Sequence, residues 1–425
     1  LKTLTAVLKK TDSLRGWQVS RLQKRSKEAY WVAYELETVR CNAVDSYALH
    51  VQTPVDDALM GESTTRFQGK PASIAQLVKE TVARARLVRN PSYRFPAPWC
   101  PPEAKQVFDS AVSEATLDDL IAFGSDIQDF RSRELKNFPL NSLELFFEVF
   151  TYTIENHRGL SALAHSTRLV CDYVLTSPDD RHEIMGLKRR RFLCDLQLKE
   201  QLAEDAAVLS DLQVAQLPPT GEFPVVLAGD ALDSLFDFFV AQLEGHALFN
   251  RYSLFSVGDA VLQHEREPLH IASTPELEGG MYSYPFDELG FPTSRVQLIE
   301  NSRVKNFLID GRYADLLGLP RTSARMNVEV DCGTTPYADF LQDGVLELTK
   351  FSTFQPNTIS GAFSGEIRLG YLYRAGKKIP IKGGSVSGST QAAFARALKS
   401  AERVRREAYV GPKGVFFESL TVAGA

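Results

Sequence analysis

Cysteine is scarce: five in 425 residues. Cys41, Cys100, Cys171, Cys194 and Cys332 are scattered and odd in number, with no C-x-x-C pair. That pattern suits a reducing compartment in which thiols serve as small buried apolar groups. Long apolar runs are missing too. None approaches the roughly 20 residues needed to cross a bilayer, and the apolar part of residues 1–10 is too short for a signal peptide. Excess positive charge is absent: the formal net charge is −5 and the pI about 5.9, which argues against nucleic acid as the main partner. A cytoplasmic protein with neither nucleic acid nor membrane as partner is expected.

What remains is an ordinary globular composition, 44 % hydrophobic and 24 % charged. At this length two or three domains are expected, because single cores stop growing at about 250–300 residues. Residues 17–53 alternate as strands, with Tyr30, Val32, Tyr34 and Leu36 and then Tyr47, Leu49 and Val51 in phase. After Pro71, Ser73 and Gln76 are spaced for a capping box, and Ile74, Leu77, Val78, Val82 and Ala85 share one helical face. The prolines at 96, 98, 101 and 102 mark an irregular connection, followed by a helix expected near 103–123. Residues 143–154 and 167–176 read as a β pair with a turn at 156–159. A helix near 198–212 stops before Leu217-Pro218-Pro219-Thr220-Gly221. Beyond it come a strand at 223–227, a helix at 230–243, β-rich sequence, and an Ala-rich basic helix expected near 389–408. The reading is α+β: an N-terminal domain of mixed or antiparallel sheet with helices over 1–217, open to subdivision near 95–105, and a β-rich domain over 221–425.

No motif found this way carries chemistry. In His264-Glu265-Arg266-Glu267-Pro268-Leu269-His270 the histidines are six apart, about 240° around a helix. Pro268 would break that helix, so a loop leading into a strand is expected, not a zinc site. His182 reads as surface polar and His246 as a capping or packed residue. The run Lys188-Arg189-Arg190-Arg191, and Arg396, Lys399, Arg403, Arg405 and Arg406, read as solvated faces or subunit contacts. Residues 383–388 are glycine-rich but lack the Lys-Ser/Thr ending of a phosphate loop. Neither a Gly-x-Ser-x-Gly elbow nor a recognisable cysteine nucleophile occurs.

Three ordered blocks resemble the TldD/PmbA family, whose members also carry a modulator-of-DNA-gyrase label. The first is Phe223-Pro224-Val225-Val226-Leu227, a helix, and Gly245-His246-Ala247-Leu248-Phe249-Asn250. The second is Phe286-Asp287-Glu288-Leu289-Gly290-Phe291-Pro292-Thr293 with Leu298-Ile299-Glu300-Asn301 and Asn306-Phe307-Leu308-Ile309-Asp310. The third runs from Ser360-Gly361-Ala362-Phe363-Ser364-Gly365 through Gly370-Tyr371, Gly376-Lys377 and Ile379-Pro380 to Val386-Ser387-Gly388, and the closing Leu420-Thr421-Val422-Ala423-Gly424 is similar to the family's ending. Together they cover about half the chain.

The departures matter more than the matches. TldD-type members place His-Glu-x-x-x-His at the strand-to-helix junction and complete the metal site with a later Cys. Alignment on Val226-Leu227 puts Ala228, Gly229 and Asp233 at those positions. No His occurs from 183 to 245, and no Cys follows Cys332. The resemblance therefore implies the TldE/PmbA side: no catalytic residue, no metal ligand and no cofactor in this chain, with zinc expected in a TldD-like partner. It implies a subunit of a metallopeptidase pair that degrades or processes unfolded or leader peptides and shapes the substrate chamber. A strand edge would hold the extended peptide, and Gly361, Phe363, Ser364 and Gly365 are candidates for the substrate groove. Two alternatives stay open. One is a stand-alone homodimer that binds peptides or proteins without cleaving them. The other is an independent hydrolase using His264, Glu265 or Asp233.

Overall fold

The computed structural model describes residues 2–103, 105–263 and 265–424. Helix α1 (Lys2–Leu8) precedes three strands, β1 (Gly16–Val32), β2 (Glu35–Pro54) and β3 (Leu59–Gln68). Helix α2 (Ile74–Ala85) and the short β4 (Asn90–Pro91) lead into the proline-rich connection. Then come α3 (Ser110–Glu114), α4 (Leu117–Glu134), β5 (Leu140–Asn156), β6 (Ser161–Thr176), β7 (Glu183–Arg190) and α5 (Leu198–Val214). The strands form one wholly antiparallel seven-stranded sheet, ordered β4-β3-β2-β1-β5-β6-β7. Side chains alternate across it, and the helices take one face. Trp17, Val19, Leu49 and Val51 pack under α1 and α2. Ala29, Trp31, Leu145, Phe147, Leu169, Cys171 and Tyr173 pack under the later helices.

The second half contains β8 (Gly221–Ala228), α6 (Asp230–Gln242), α7 (Gly245–Phe249), β9 (Ile271–Thr274), β10 (Val296–Glu300), β11 (Arg303–Val304), α8 (Gly311–Leu317) and β12 (Asn327–Val330). After these come β13 (Leu346–Pro356), β14 (Ala362–Arg374), β15 (Lys377–Ile381), β16 (Ser385–Ser389) and α9 (Thr390–Ala395). The chain ends with β17 (Leu398–Lys399), β18 (Arg403–Arg406), β19 (Tyr409–Pro412) and β20 (Gly414–Ala423). Strands β13, β8, β20, β16 and β14 close into a barrel, since β13 pairs with both β8 and β14. A six-stranded sheet, β11-β10-β9-β12-β19-β18, lies beside it. Helix α6 belongs to the core that joins barrel and sheet. That is why Leu232, Leu235, Phe236, Phe238, Phe239 and Val240 are all fully buried and only a narrow polar stripe is left on the helix.

The α+β class holds. Four local expectations do not. The helix expected near 103–123 is split and displaced: α3 is one short turn, and α4 starts at Leu117 because Thr116 and Asp119 form a reciprocal capping box. The late helix ends at Ala395, and Arg403–Arg406 is a strand paired with β19. Of the cysteines only Cys171 is buried. Finally, two of the cations are not solvated. Lys399 is 4 % exposed and paired with Asp331. Arg191 is 2 % exposed, and its guanidinium donates to the carbonyls of Thr167 (2.8 Å) and Met281 (2.7 Å), tying the two halves together.

Candidate functional site

Strand β8 runs between β13 and β20 and ends at Ala228, opposite Gly414. Its alternation sends Val225 and Leu227 into the main core. Val226 and Ala228 face a smaller cluster with Tyr337, Phe340 and Val345. The chain then turns sharply at Gly229, with φ 73° and ψ −152°, and α6 begins at Asp230. That backbone conformation is essentially reserved for glycine. The Gly229 carbonyl accepts the first helical bonds from the N–H groups of Leu232 (3.1 Å) and Asp233 (3.3 Å).

Asp233 lies one turn into α6, on its polar stripe, and is occupied. Its two carboxylate oxygens accept from Nε (2.9 Å) and Nη2 (2.5 Å) of Arg406 on β18. The guanidinium also lies 4.6 Å from the centre of the Tyr409 ring. Burial pushes the Asp233 carboxyl up to about 6, against the pull of Arg406, and neighbouring Asp230 and Asp237 add to the rise. One turn further on, Asp237 accepts from Arg325 (2.6 Å), which also reaches Glu244 (3.1 Å).

Zinc needs at least three nitrogen, sulfur or carboxylate donors converging in a tetrahedral arrangement. At the three positions of the motif this chain has a methyl group, no side chain, and a carboxylate engaged by a fixed cation. The residues do not fit the metal. Among the described residues no three His, Cys, Asp or Glu side chains are grouped to hold one. The independent-hydrolase alternative gains nothing either. His264 lies outside the described residues, Glu265 accepts from Nε of Arg396 (2.6 Å), and the backbone N–H of His270 donates to Asp331 (3.0 Å) just before β9.

The expected groove residues sit together on β14 or beside its start, but not as an open edge. Phe363, Ser364 and Gly365 pair with Pro356, Gln355 and Phe354 of β13 on one side. On the other side they pair with Gly388, Ser387 and Val386 of β16. A peptide therefore cannot add as a strand to β14 here. Phe363 is 4 % exposed and part of the core. A Cβ on Gly365 would come within 2.5 Å of the Phe354 ring, and one on Gly361 within 3.1 Å of the Phe238 ring. These glycines permit close packing of aromatic side chains. Ser364 alone of the four points outward.

Sequence reasoning missed Arg406 and Arg325, the cations that close the α6 stripe. The signal for Arg406 was the alternation Arg403-Val404-Arg405-Arg406 leading to Gly411-Pro412, a hairpin pattern hidden by the alanines before it. It also missed a cleft of about 600 Å³ between the proline-rich connection and α8, walled by Trp99, Arg158, Phe291 and Arg321. None of the metal-motif or β14 positions lines it.

Residues 220–424 match the PmbA/TldA metallopeptidase C-terminal domain. The metalloprotease PmbA of Escherichia coli O157:H7 is 31 % identical over 136 residues, which is 31 % of this chain and 29 % of PmbA. The chain is similar in fold to a Thermotoga maritima protein carrying a DNA-gyrase-modulator label (TM-score 0.82, 19 % identity, 99 % of both chains). It is also similar to TldE from Thermococcus kodakarensis (TM-score 0.80, 17 % identity, 100 % of both chains). Residues 220–424 thus carry the PmbA/TldA metallopeptidase C-terminal domain, and the chain along its whole length shares the fold of these two solved structures.

Proposed function

We propose that this protein is the non-catalytic, TldE/PmbA-like subunit of a cytoplasmic zinc metallopeptidase pair acting on unfolded or leader-type peptides. The observation that carries the reading is the Asp233–Arg406 pair at the strand-to-helix junction. An internal guanidinium holds the only acidic side chain among the three motif positions, so metal and base belong to a TldD-like partner. Zinc in that partner would supply Lewis-acid activation of water; this chain contributes walls and a place for the substrate.

Extended peptide is the substrate class that suits a β-rich half, because backbone hydrogen bonding gives affinity with little demand on sequence. The strand offered for it is β13. Its residues 346–348 pair with β8, but from Lys350 to Pro356 it pairs with β14 alone, which leaves the other edge without a strand among the described residues. That edge begins beside Gly229, whose absent Cβ would stand 3.6 Å from the Thr349 carbonyl.

Co-expression with a paralogue carrying His-Glu-x-x-x-His tests the reading. The expected product is a complex of equal subunits with zinc in the paralogue only, and cleavage of an unfolded test protein that neither subunit achieves alone. A paralogue that cleaves equally well by itself overturns it.

A further inference from the structure

The cleft of about 600 Å³ is a seam between the two halves of the chain. One wall is the proline-rich connection, residues 94–99, together with Arg158 from the turn between β5 and β6. The other is Phe291, Pro292 and α8 with the residues that follow it. Small-molecule sites span about 300–1,000 Å³ and favour such junctions. The apolar surfaces are held in place. The Trp99 indole N–H donates to the Gly290 carbonyl (2.9 Å), and the ring stands edge-on to Phe286 at 6.5 Å. Phe291 packs flush on Gly311, where any side chain would collide with its ring. Leu319, on the rim, is 42 % exposed.

The charged groups lining the cleft are Arg94, Arg158, Arg321 and Asp315, and the three guanidiniums differ. Arg94 is already engaged, donating to Asp315 from its backbone N–H and its side chain. Arg158 and Arg321 are held by main-chain carbonyls instead. Each donates through Nη1, to Phe95 (2.7 Å) and Pro292 (2.7 Å) respectively, and neither has a carboxylate partner among the described residues. A carbonyl fixes a guanidinium without cancelling its charge. It also leaves the Nε–Nη2 edge, the fork that meets a carboxylate through two parallel bonds. The Phe291 ring flanks Arg321 at 5.5 Å. Two further acids stand behind Phe291. Burial pushes Asp287 up to about 7 although the N–H groups of Phe291 and Leu289 donate to it; Asp310 adds to the rise and Arg321 opposes it. With three guanidiniums and three carboxylates nearby, a dianion gains little. A single negative charge that can use a free fork suits the site.

We propose that this cleft binds a carboxylate borne beside an aromatic or aliphatic side chain, held by the guanidiniums of Arg158 and Arg321 and packed against Trp99, Phe291 and Leu319. A free N-acylated apolar amino acid and the apolar C-terminal residue of a peptide share that chemistry. Because its walls come from both halves, a ligand here binds the folded chain alone and raises its melting temperature. The site rests on the cleft and not on the peptidase reading, since none of the metal-motif positions lines it.

Isothermal titration of the purified full chain, without any partner, tests it with N-acetyl-L-phenylalanine and with the acetylated tripeptide Ala-Ala-Phe. Tryptophan fluorescence reports on the same site, because Trp17 and Trp31 are buried at 5 % and 3 % exposure and Trp99 is not. Saturable binding with a Kd below about 1 mM is expected; tighter binding of the amino acid or of the tripeptide tells which source the cleft prefers, and either supports the site. N-acetyl-L-phenylalanine amide, which lacks the charge, should bind about tenfold more weakly or worse, a comparison that needs no variant. Arg158→Gln and Arg321→Gln should each weaken the acid about tenfold, with circular dichroism confirming their fold. Arg303→Gln removes another exposed guanidinium held by a carbonyl, that of Gly258 (3.0 Å), but outside the cleft, and should bind as the wild type does. The proposal is overturned if neither acid saturates, if the amide binds equally, if both cleft variants bind as the wild type does, or if phenyl phosphate outcompetes the acid.

Discussion

Arg406 neutralises a largely buried acid one turn into α6. Its Nε and Nη2 meet both oxygens of Asp233, and the Tyr409 ring packs against its flat side. Removing it strands a largely desolvated carboxylate beside Asp230 and Asp237. Arg406→Ala is therefore expected to cost about 1–3 kcal/mol in urea unfolding, while Arg406→Lys recovers part of that because it keeps the charge but loses the fork. Restoring the motif should fail for a separate reason. Ala228→His, Gly229→Glu and Asp233→His together put a side chain at φ 73° and leave Arg406 in place, so elemental analysis of the triple variant should find zinc well below one per chain. The resemblance put Ala228, Gly229 and Asp233 at the motif positions from the sequence. The cation that pairs with Asp233 was not legible there, because it comes from a strand 173 positions away in sequence.

At the scale of elements, alternation and turn residues located β1, β2, β5, β6, β8 and α6, all long or flanked by strong punctuation. The failures came where local propensity met tertiary context. Gln391, Ala392 and Ala393 favour helix, but β18 pairs with β19 and takes Arg403–Arg406 out of it. Helix α4 starts late because the Thr116 hydroxyl accepts from the Asp119 N–H (3.1 Å) and the Asp119 carboxylate accepts from the Thr116 N–H (2.7 Å). Thr116→Ala should lower stability by about 1 kcal/mol, and Thr116→Ser by much less, in chemical denaturation. The same helix is held close to β1 by Gly124, where an added Cβ would fall 2.1 Å from the Trp31 ring. Gly124→Ala is thus expected to destabilise by about 1–3 kcal/mol through overpacking, although alanine is the better helix former.

Across the whole molecule, the N-terminal sheet and the C-terminal half are locked by polar groups invisible to periodicity, since each partner is distant in sequence. Arg94 makes two hydrogen bonds to Asp315 through its side chain. The centre of the second lock is Glu62 on β3. It accepts from Asn90 (2.7 Å), Tyr93 (2.7 Å) and Arg312 of α8 (3.1 Å), with His50 Nε2 at 3.4 Å. Burial alone would raise this carboxyl, yet the hydrogen bonds and the Arg312 charge hold it down to about 2 against an ordinary 4.5. A depressed acid stabilises the fold above its unfolded value, so the contribution is complete above pH 4.5 and fades as the pH falls from about 4.5 towards 2. Its full size is at most about 3 kcal/mol. Urea midpoints measured from pH 7 down to pH 3 should therefore drop more steeply for the wild type than for Glu62→Gln, which starts lower at neutral pH and converges with it in acid. Parallel curves for the two proteins would mean that Glu62 does not couple the halves through its charge.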